Sequence, residues 1–169
     1  LVIVGVIWDL FSRAEQVQRT SLLYAARSIT AAVDAQFGKY VALLEALSRS
    51  PALLDDNLDA FELEARRALP AGEDAGVLVS DAVGQQLLNP FAQPGQPLPR
   101  RNPIAIAAQH RAFSTRSIVV TDLLRGPLTQ ELITNIEVPI FKDEQPFRGL
   151  AIVMKQQEFL RLLSVKDIP

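Results

Sequence analysis

Residues 9–48, DLFSRAEQVQRTSLLYAARSITAAVDAQFGKYVALLEALS, are the one long run of the chain that lacks proline while keeping a sustained helical period. Leu22, Ala26, Ile29, Val33, Phe37, Tyr40, Leu44 and Leu47 succeed one another at spacings of three and four, which at about 100° per residue puts them on one stripe. The stripe predicts a single helix whose apolar side the rest of the domain must cover. On the opposite side stand Ala31, Ala35, Gly38, Ala42 and Ala46, while Arg27, Thr30, Asp34, Glu45 and Ser48 gather along one flank. Side chains this small let a second backbone come close, as between two copies of the same helix. The competing reading is that alanine is simply a good helix former on a solvated face. Pro51 ends the element, because proline disfavours helix at Ser50 and has no amide hydrogen to donate.

The chain has 169 residues, which suits one domain burying roughly 70% of its unfolded surface. A formal net charge of −2 leaves no basic footprint for a nucleic acid. The absence of cysteine excludes disulfides and thiolate metal sites. Residues 1–8, LVIVGVIW, are the most apolar octet, far shorter than the roughly 20 residues a membrane span needs. They read as the trailing end of a membrane helix with Trp8 at the interface, or alternatively as a buried first strand or packed helix start.

Beyond Pro51 the segment LLDDN reads as a linker, and Leu58, Phe61, Ala65 and Leu69 give a second, short helix that Asn57 caps. Residues 76–80 (GVLVS) and 85–89 (QQLLN) are apolar runs that predict a hairpin, with Gly84 supplying the positive φ of a tight turn. Residues 89–103, NPFAQPGQPLPRRNP, contain five prolines and predict a long ordered loop or flap. Asn102 and Pro103 open a third helix over 103–113, continued by Ile104, Ala107, Ala108, Arg111 and Ala112 at helical spacing. Strands come next at 117–121, 132–141 and 147–154, and the polar residues 142–146 make the last two an antiparallel pair. In the middle strand Leu132, Thr134, Ile136 and Val138 share one side, and Ile133, Asn135 and Glu137 the other. Phe159, Leu160 and Leu163 fit a short closing helix.

This order of parts, with the turn 81–84 of the form DxxG and the segments GQQLLNPF, GQPLPRR, VVTDLLRGPLTQE and EVPIFKDEQPFRGLAIVM, resembles the PDC or Cache family over residues 11–163. These are PAS-like sensor domains placed outside the membrane in bacterial sensor histidine kinases and chemoreceptors. The resemblance implies an α+β fold in which a five-stranded antiparallel sheet packs on the long N-terminal helix and a short C-terminal helix leads out. It implies one sensor domain over 9–163, with 164–169 leading toward a second membrane helix, in a bacterial inner-membrane protein whose domain faces the periplasm or exterior. It further implies a small-molecule ligand between the sheet and the linking segment, dimerisation through the N-terminal helix, and a histidine kinase as the output. A chemoreceptor or diguanylate cyclase output, or a dimerisation module without ligand, would look the same in this segment. The family's familiar amine-recognition pattern sets a tryptophan in an aromatic cluster beside an arginine of the linking segment, whereas the only tryptophan here is Trp8.

Few residues suggest chemistry of their own. His110 is the only histidine, so no metal-ligand set or cofactor is expected; it is a surface residue or a ligand contact. Ser114 and Ser117 lack the elbow motif of a hydrolase, and no phosphate-cradling loop is present, so the segment itself is expected to catalyse nothing. Arg100 and Arg101 can form a fork for an anionic carboxylate, or instead be solvated or bonded to Asp122 or Glu131. Asp122 succeeds a strand end and is either at the pocket rim or a turn cap, and Asn135 is a polar contact in the pocket or on the solvent face.

Overall fold

The computed structural model describes residues 27–70 and 72–163, with the backbone alone at 159, 162 and 163. The membrane-flanking segments expected at 1–8 and 164–169 lie outside that range, as do Leu22 and Ala26 of the stripe and the side chains of Phe159 and Leu163. Helix α1 occupies residues 27–47 and is buried along the stripe: Tyr40, Leu44 and Leu47 are in the core and Phe37 packs beside them. Ala31, Ala35, Gly38, Ala42 and Ala46 are all exposed. Pro51 does more than stop α1, since its fixed φ suits the first position of a new helix, α2 (Pro51–Leu54). That single turn, in a stretch the sequence presents as linker, buries Leu53. Helix α3 (Leu58–Ala68) starts at the expected cap, where Asn57 Oδ1 accepts the Ala60 amide at 3.2 Å, and its stripe delivers Phe61 and Ala65 to the core.

Strands β1 (Ala75–Asp81) and β2 (Gln86–Leu88) form the expected hairpin. Asp81 Oδ1 accepts the amides of Val83 and Gln85 at 3.0 and 2.8 Å, and Gly84 takes φ +91°. Helix α4 (Pro103–Thr115) is capped by Asn102, whose Oδ1 accepts the Ile104 amide at 2.9 Å. Its buried residues are Ala105, Ala108, Gln109 and Ala112, so the expected face holds at Ala108 and Ala112 but not at Ile104, Ala107 and Arg111, which are not buried. Alanines let the α4 backbone lie close to the sheet, and Gln109 finds buried polar partners there, which turns the helix away from its larger apolar side chain.

Strands β3 (Val119–Val120), β5 (Leu132–Lys142) and β6 (Gln145–Lys155) supply the meander. Strand β4 (Leu124–Arg125), in a stretch expected to be loop, makes a six-stranded antiparallel sheet in place of five, ordered β2-β1-β6-β5-β3 with β4 also on β5. Two residues are too few to leave a period in sequence. The β5–β6 turn is only Asp143 and Glu144, both at positive φ, as a two-residue hairpin turn requires, so the expected 142–146 turn contracts and Pro146 pairs opposite Phe141 at a register shift. Helix α5 (Gln156–Leu163) continues from β6 without a linker.

Side-chain alternation gives the sheet two different faces. Val77, Val79, Ile136, Val138, Leu150, Ile152 and Met154 pack with α1 and α3, while Leu78, Ile133 and Val153 pack with Ala105 of α4. An antiparallel sheet covered by helices on both sides has no wet face, which is why Ile133, Asn135 and Glu137 are all buried.

Candidate functional site

The end of the proline-rich segment pairs with the β1–β2 turn: Gln85 and Arg100 make an antiparallel bridge, and the Arg101 amide donates to Gly84 O at 2.9 Å. Consecutive side chains of an extended segment point opposite ways, so Arg100 faces solvent, where it donates to Val83 O at 2.8 Å. Arg101 turns inward beneath α4. Its guanidinium grips Glu137 with both terminal nitrogens, and both side chains are only 1% exposed. It also donates to Gln109 Oε1 at 3.0 Å. With the Asn135 amide oriented to satisfy both its ends, its oxygen accepts from Arg101 at 3.1 Å and its nitrogen donates to Thr134 O at 3.1 Å. Ser80 Oγ donates to Gln109 Oε1 at 3.0 Å, and Gln109 Nε2 donates to Asp81 O at 2.6 Å.

A buried ion pair survives desolvation only when further hydrogen bonds complete it, and Gln109, Ser80 and Asn135 do so here. Gly149 lies opposite Ser80 in the β1–β6 register. A Cβ there would stand 2.8 Å from Ser80 Oγ and 2.9 Å from Gln109 Cδ, so glycine leaves the room this cluster occupies.

Beside the cluster is a cavity of about 20 Å³, walled by Leu78, Ile133 and Val153 of the strands, Phe91, and the side chains of Gln86, Asn89, Arg101 and Asn135. Pro127, Leu128 and Thr129, in the turn between β4 and β5, border it. That volume holds about one water. Gln86 reaches the cavity through a β-bulge: Val79 pairs with Leu88 and Ser80 with Gln86, leaving Leu87 as the extra residue. One inserted residue reverses the facing of the strand beyond it, so Leu88 joins the α1 core while Gln86 turns to the α4 side and accepts from Asn89 Nδ2 at 2.6 Å.

The fold therefore brings together two of the residues singled out in sequence, Arg101 and Asn135. Arg100 lies on the turn outside the cavity, His110 is exposed on α4, and Asp122 is exposed after β3. The alternative partners of the arginines, Asp122 and Glu131, give way to Glu137; Glu131 pairs with Lys155 at 2.8 Å instead. Sequence reading missed Glu137, Gln109, Ser80 and Gln86. The signal for Glu137 was its position on the same side of β5 as Asn135, in a strand whose other side is mostly apolar. A larger cleft of about 290 Å³ lies on the opposite face between α3 and the β1–β2 hairpin, with Ala65, Val77, Leu88 and Pro90 among its walls. Its ion pair, Arg66 with Glu62 at 2.6 Å, is exposed and lies along one helix, so convergent polar chemistry favours the smaller cavity.

No family model matches the sequence, and no curated protein matches it. Solved structures do match the fold. The ligand-binding domain of the Campylobacter jejuni chemoreceptor Tlp3 in complex with L-valine has a TM-score of 0.64 at 14% identity, over 93% of this chain and 66% of that one. That of the Pseudomonas fluorescens chemoreceptor CtaA in complex with L-valine has a TM-score of 0.62 at 20% identity, over 83% and 63%. That of the Pseudomonas aeruginosa amino acid chemoreceptor PctB in complex with L-Gln has a TM-score of 0.56 at 18% identity, over 83% and 55%. At these identities the likeness is one of fold, and the chain spans less than two thirds of those domains. The fold is the PAS-like PDC or Cache type that the order of sequence segments resembles.

Proposed function

We propose that this chain is the extracytoplasmic, ligand-sensing input domain of a bacterial membrane-bound receptor, and that its small-molecule site is the cavity under α4. The observation that carries this reading is the convergence of Arg101, Asn135 and Gln86 on one cavity, in a fold shared with sensory domains of chemoreceptors. The anionic carboxylate suggested by an arginine fork requires modification. Arg101 is already matched by Glu137, so a lone anion would bring an uncompensated charge into a site of balanced charge. A ligand that carries its own counter-charge, an amino acid zwitterion, meets the guanidinium and the amides without that penalty.

For the output we propose a sensor histidine kinase, on the resemblance of the segment order; a chemoreceptor output is the reading favoured by the structural neighbours. Phosphoryl transfer belongs to that output part and not to this domain. The membrane segments expected on either side belong to the same proposal, and among the described residues no helix is long and apolar enough to cross a membrane. Two copies are proposed to associate through the exposed Ala31, Ala35, Gly38, Ala42 and Ala46 stripe.

The test is a thermal-shift screen of amino acids and small carboxylates on the purified chain. A ligand at 100 times its dissociation constant stabilises the fold by about 2.7 kcal/mol. We expect an amino acid to do so, and Asn135→Ala to abolish the shift while retaining the native circular dichroism. The absence of any stabiliser, or a shift indifferent to Asn135, overturns the assignment of the cavity; a shift from simple carboxylates alone restores the anion. Translation of the gene beyond Pro169 and phosphorylation assays on the full-length receptor decide the output.

A further inference from the structure

Strand β6 runs directly into α5, and the residue at the junction, Lys155, lies outside the cavity but contacts two residues beside it. Its ammonium pairs with Glu131 at 2.8 Å and stands 4.9 Å from the centroid of the Phe91 ring. Glu131 ends the turn that borders the cavity, and Phe91 is one of the cavity walls. Lys155 also fixes the backbone here, its amide donating to Asp74 O at 2.8 Å. Three residues on, the buried Glu158 accepts from the Tyr40 hydroxyl at 3.4 Å, from the Asp74 amide at 3.3 Å and from Arg161 at 2.6 Å. The same Tyr40 hydroxyl donates to Glu73 at 2.8 Å. The strand end that leads into α5 is thus tied to the surround of the cavity, and α5 itself, at Glu158, to α1.

The walls differ in how firmly they are held. The strand and α4 walls are locked by ladders and by the Arg101 cluster, and in the proline-rich segment Asn89 donates to Gln86 at 2.6 Å and accepts the Phe91 amide at 2.9 Å. The turn 126–131 is joined to the sheet through β4 and the start of β5; the amides of Gly126 and Gln130 bond within it, to Glu131 O at 2.9 Å and Gly126 O at 3.0 Å, and Glu131 pairs outward with Lys155. A space of about 20 Å³ holds about one water, so a larger ligand needs more room there, and this turn is a wall with few bonds to break. Its movement draws Glu131 away from Lys155.

We infer that Lys155 is the latch through which the turn 126–131 controls α5, so that opening of the cavity is transmitted to α5 and, through Glu158 and Tyr40, to α1. This rests on the reading that the cavity takes the ligand, but the latch is testable without any ligand. Amide hydrogen exchange of residues 156–163 is compared in the parent chain, Glu131→Gln, Lys155→Met and the double variant. Glu131 lies outside α5, so Glu131→Gln should speed exchange in α5 several-fold only if Lys155 carries the connection, and the double variant should be no faster than Lys155→Met. Glu144→Gln, which removes the exposed Arg116–Glu144 pair, controls for surface charge loss and should leave α5 unchanged. Unaltered α5 exchange in Glu131→Gln, or equal acceleration in the control, overturns the latch.

A second arm uses L-valine as the probe. If it shifts the thermal midpoint of both the parent and Lys155→Met but changes α5 exchange only in the parent, the latch is upheld as the route from ligand to α5. Equal changes in both refute it. Should L-valine and every other amino acid shift neither protein, the ligand reading fails and the first arm alone decides the latch.

Discussion

With both side chains removed from water, Arg101 and Glu137 depend on each other more than on any apolar neighbour. Cutting either to alanine strands a charge, and the expected loss is about 3–5 kcal/mol. The double replacement Arg101→Met with Glu137→Leu removes both charges and should recover most of that loss, as urea denaturation of the three variants will show. Tyr40 makes a separate prediction. Burial, above all, and the carboxylates of Glu73 and Glu158 push its hydroxyl pKa well up, against the hydrogen bond from Gln36, which lowers it. The folded state therefore keeps a proton that the unfolded chain releases above about pH 10, and the stability this group contributes is present below that pH and lost as pH rises beyond it. Tyr40→Phe should remove this part of the alkaline decline in a plot of unfolding free energy against pH. An unchanged slope above pH 10 would show that the hydroxyl titrates normally.

At the scale of elements, caps and turns set where each piece starts, while small irregularities set where its side chains go. Asn57 holds the first turn of α3 through one bond to Ala60, so Asn57→Ala should cost about 1 kcal/mol and lower the melting temperature by roughly 2–4 °C, with Asn57→Gly costing only a few tenths. Differential scanning calorimetry of the two variants checks this. The bulge at Leu87 is the contrasting case, because its effect is on direction: were these three residues a regular strand, Gln86 and Leu88 would share a face. Either the cavity would lose an amide or the α1 core would lose a leucine.

For the whole molecule, α1 has two sides and the described residues cover one. Leu44 is fully buried whereas a Cβ on Gly38 would meet nothing within 4 Å. If two copies pair through the small-residue side, Gly38→Leu with Ala42→Leu should weaken the dimer in sedimentation velocity while leaving the melting temperature of the fold within a few degrees. A monomeric parent chain at high concentration, or a variant as dimeric as the parent, would assign that side to solvent.

The elements were legible because their signals are local. The stripe of α1, the caps Asn57 and Asn102, the turn at Gly84 and the alternation that sets Asn135 and Glu137 on one side of β5 each depend on neighbours a few residues apart. Even Arg101 could be picked out as one of two guanidinium groups ending the proline-rich segment, and Asn135 as a polar side chain in a β-branched strand. Their meeting with Glu137, Gln109, Ser80 and Gln86 depended on three things no local period encodes: the rotation of α4 about its axis, the register of β1 on β6, and the single residue inserted at Leu87. Arg101 and Glu137 are 36 positions apart. Only the closed packing of sheet against helix, which forces every buried charge to find its partner, joined them and left Arg100 in water.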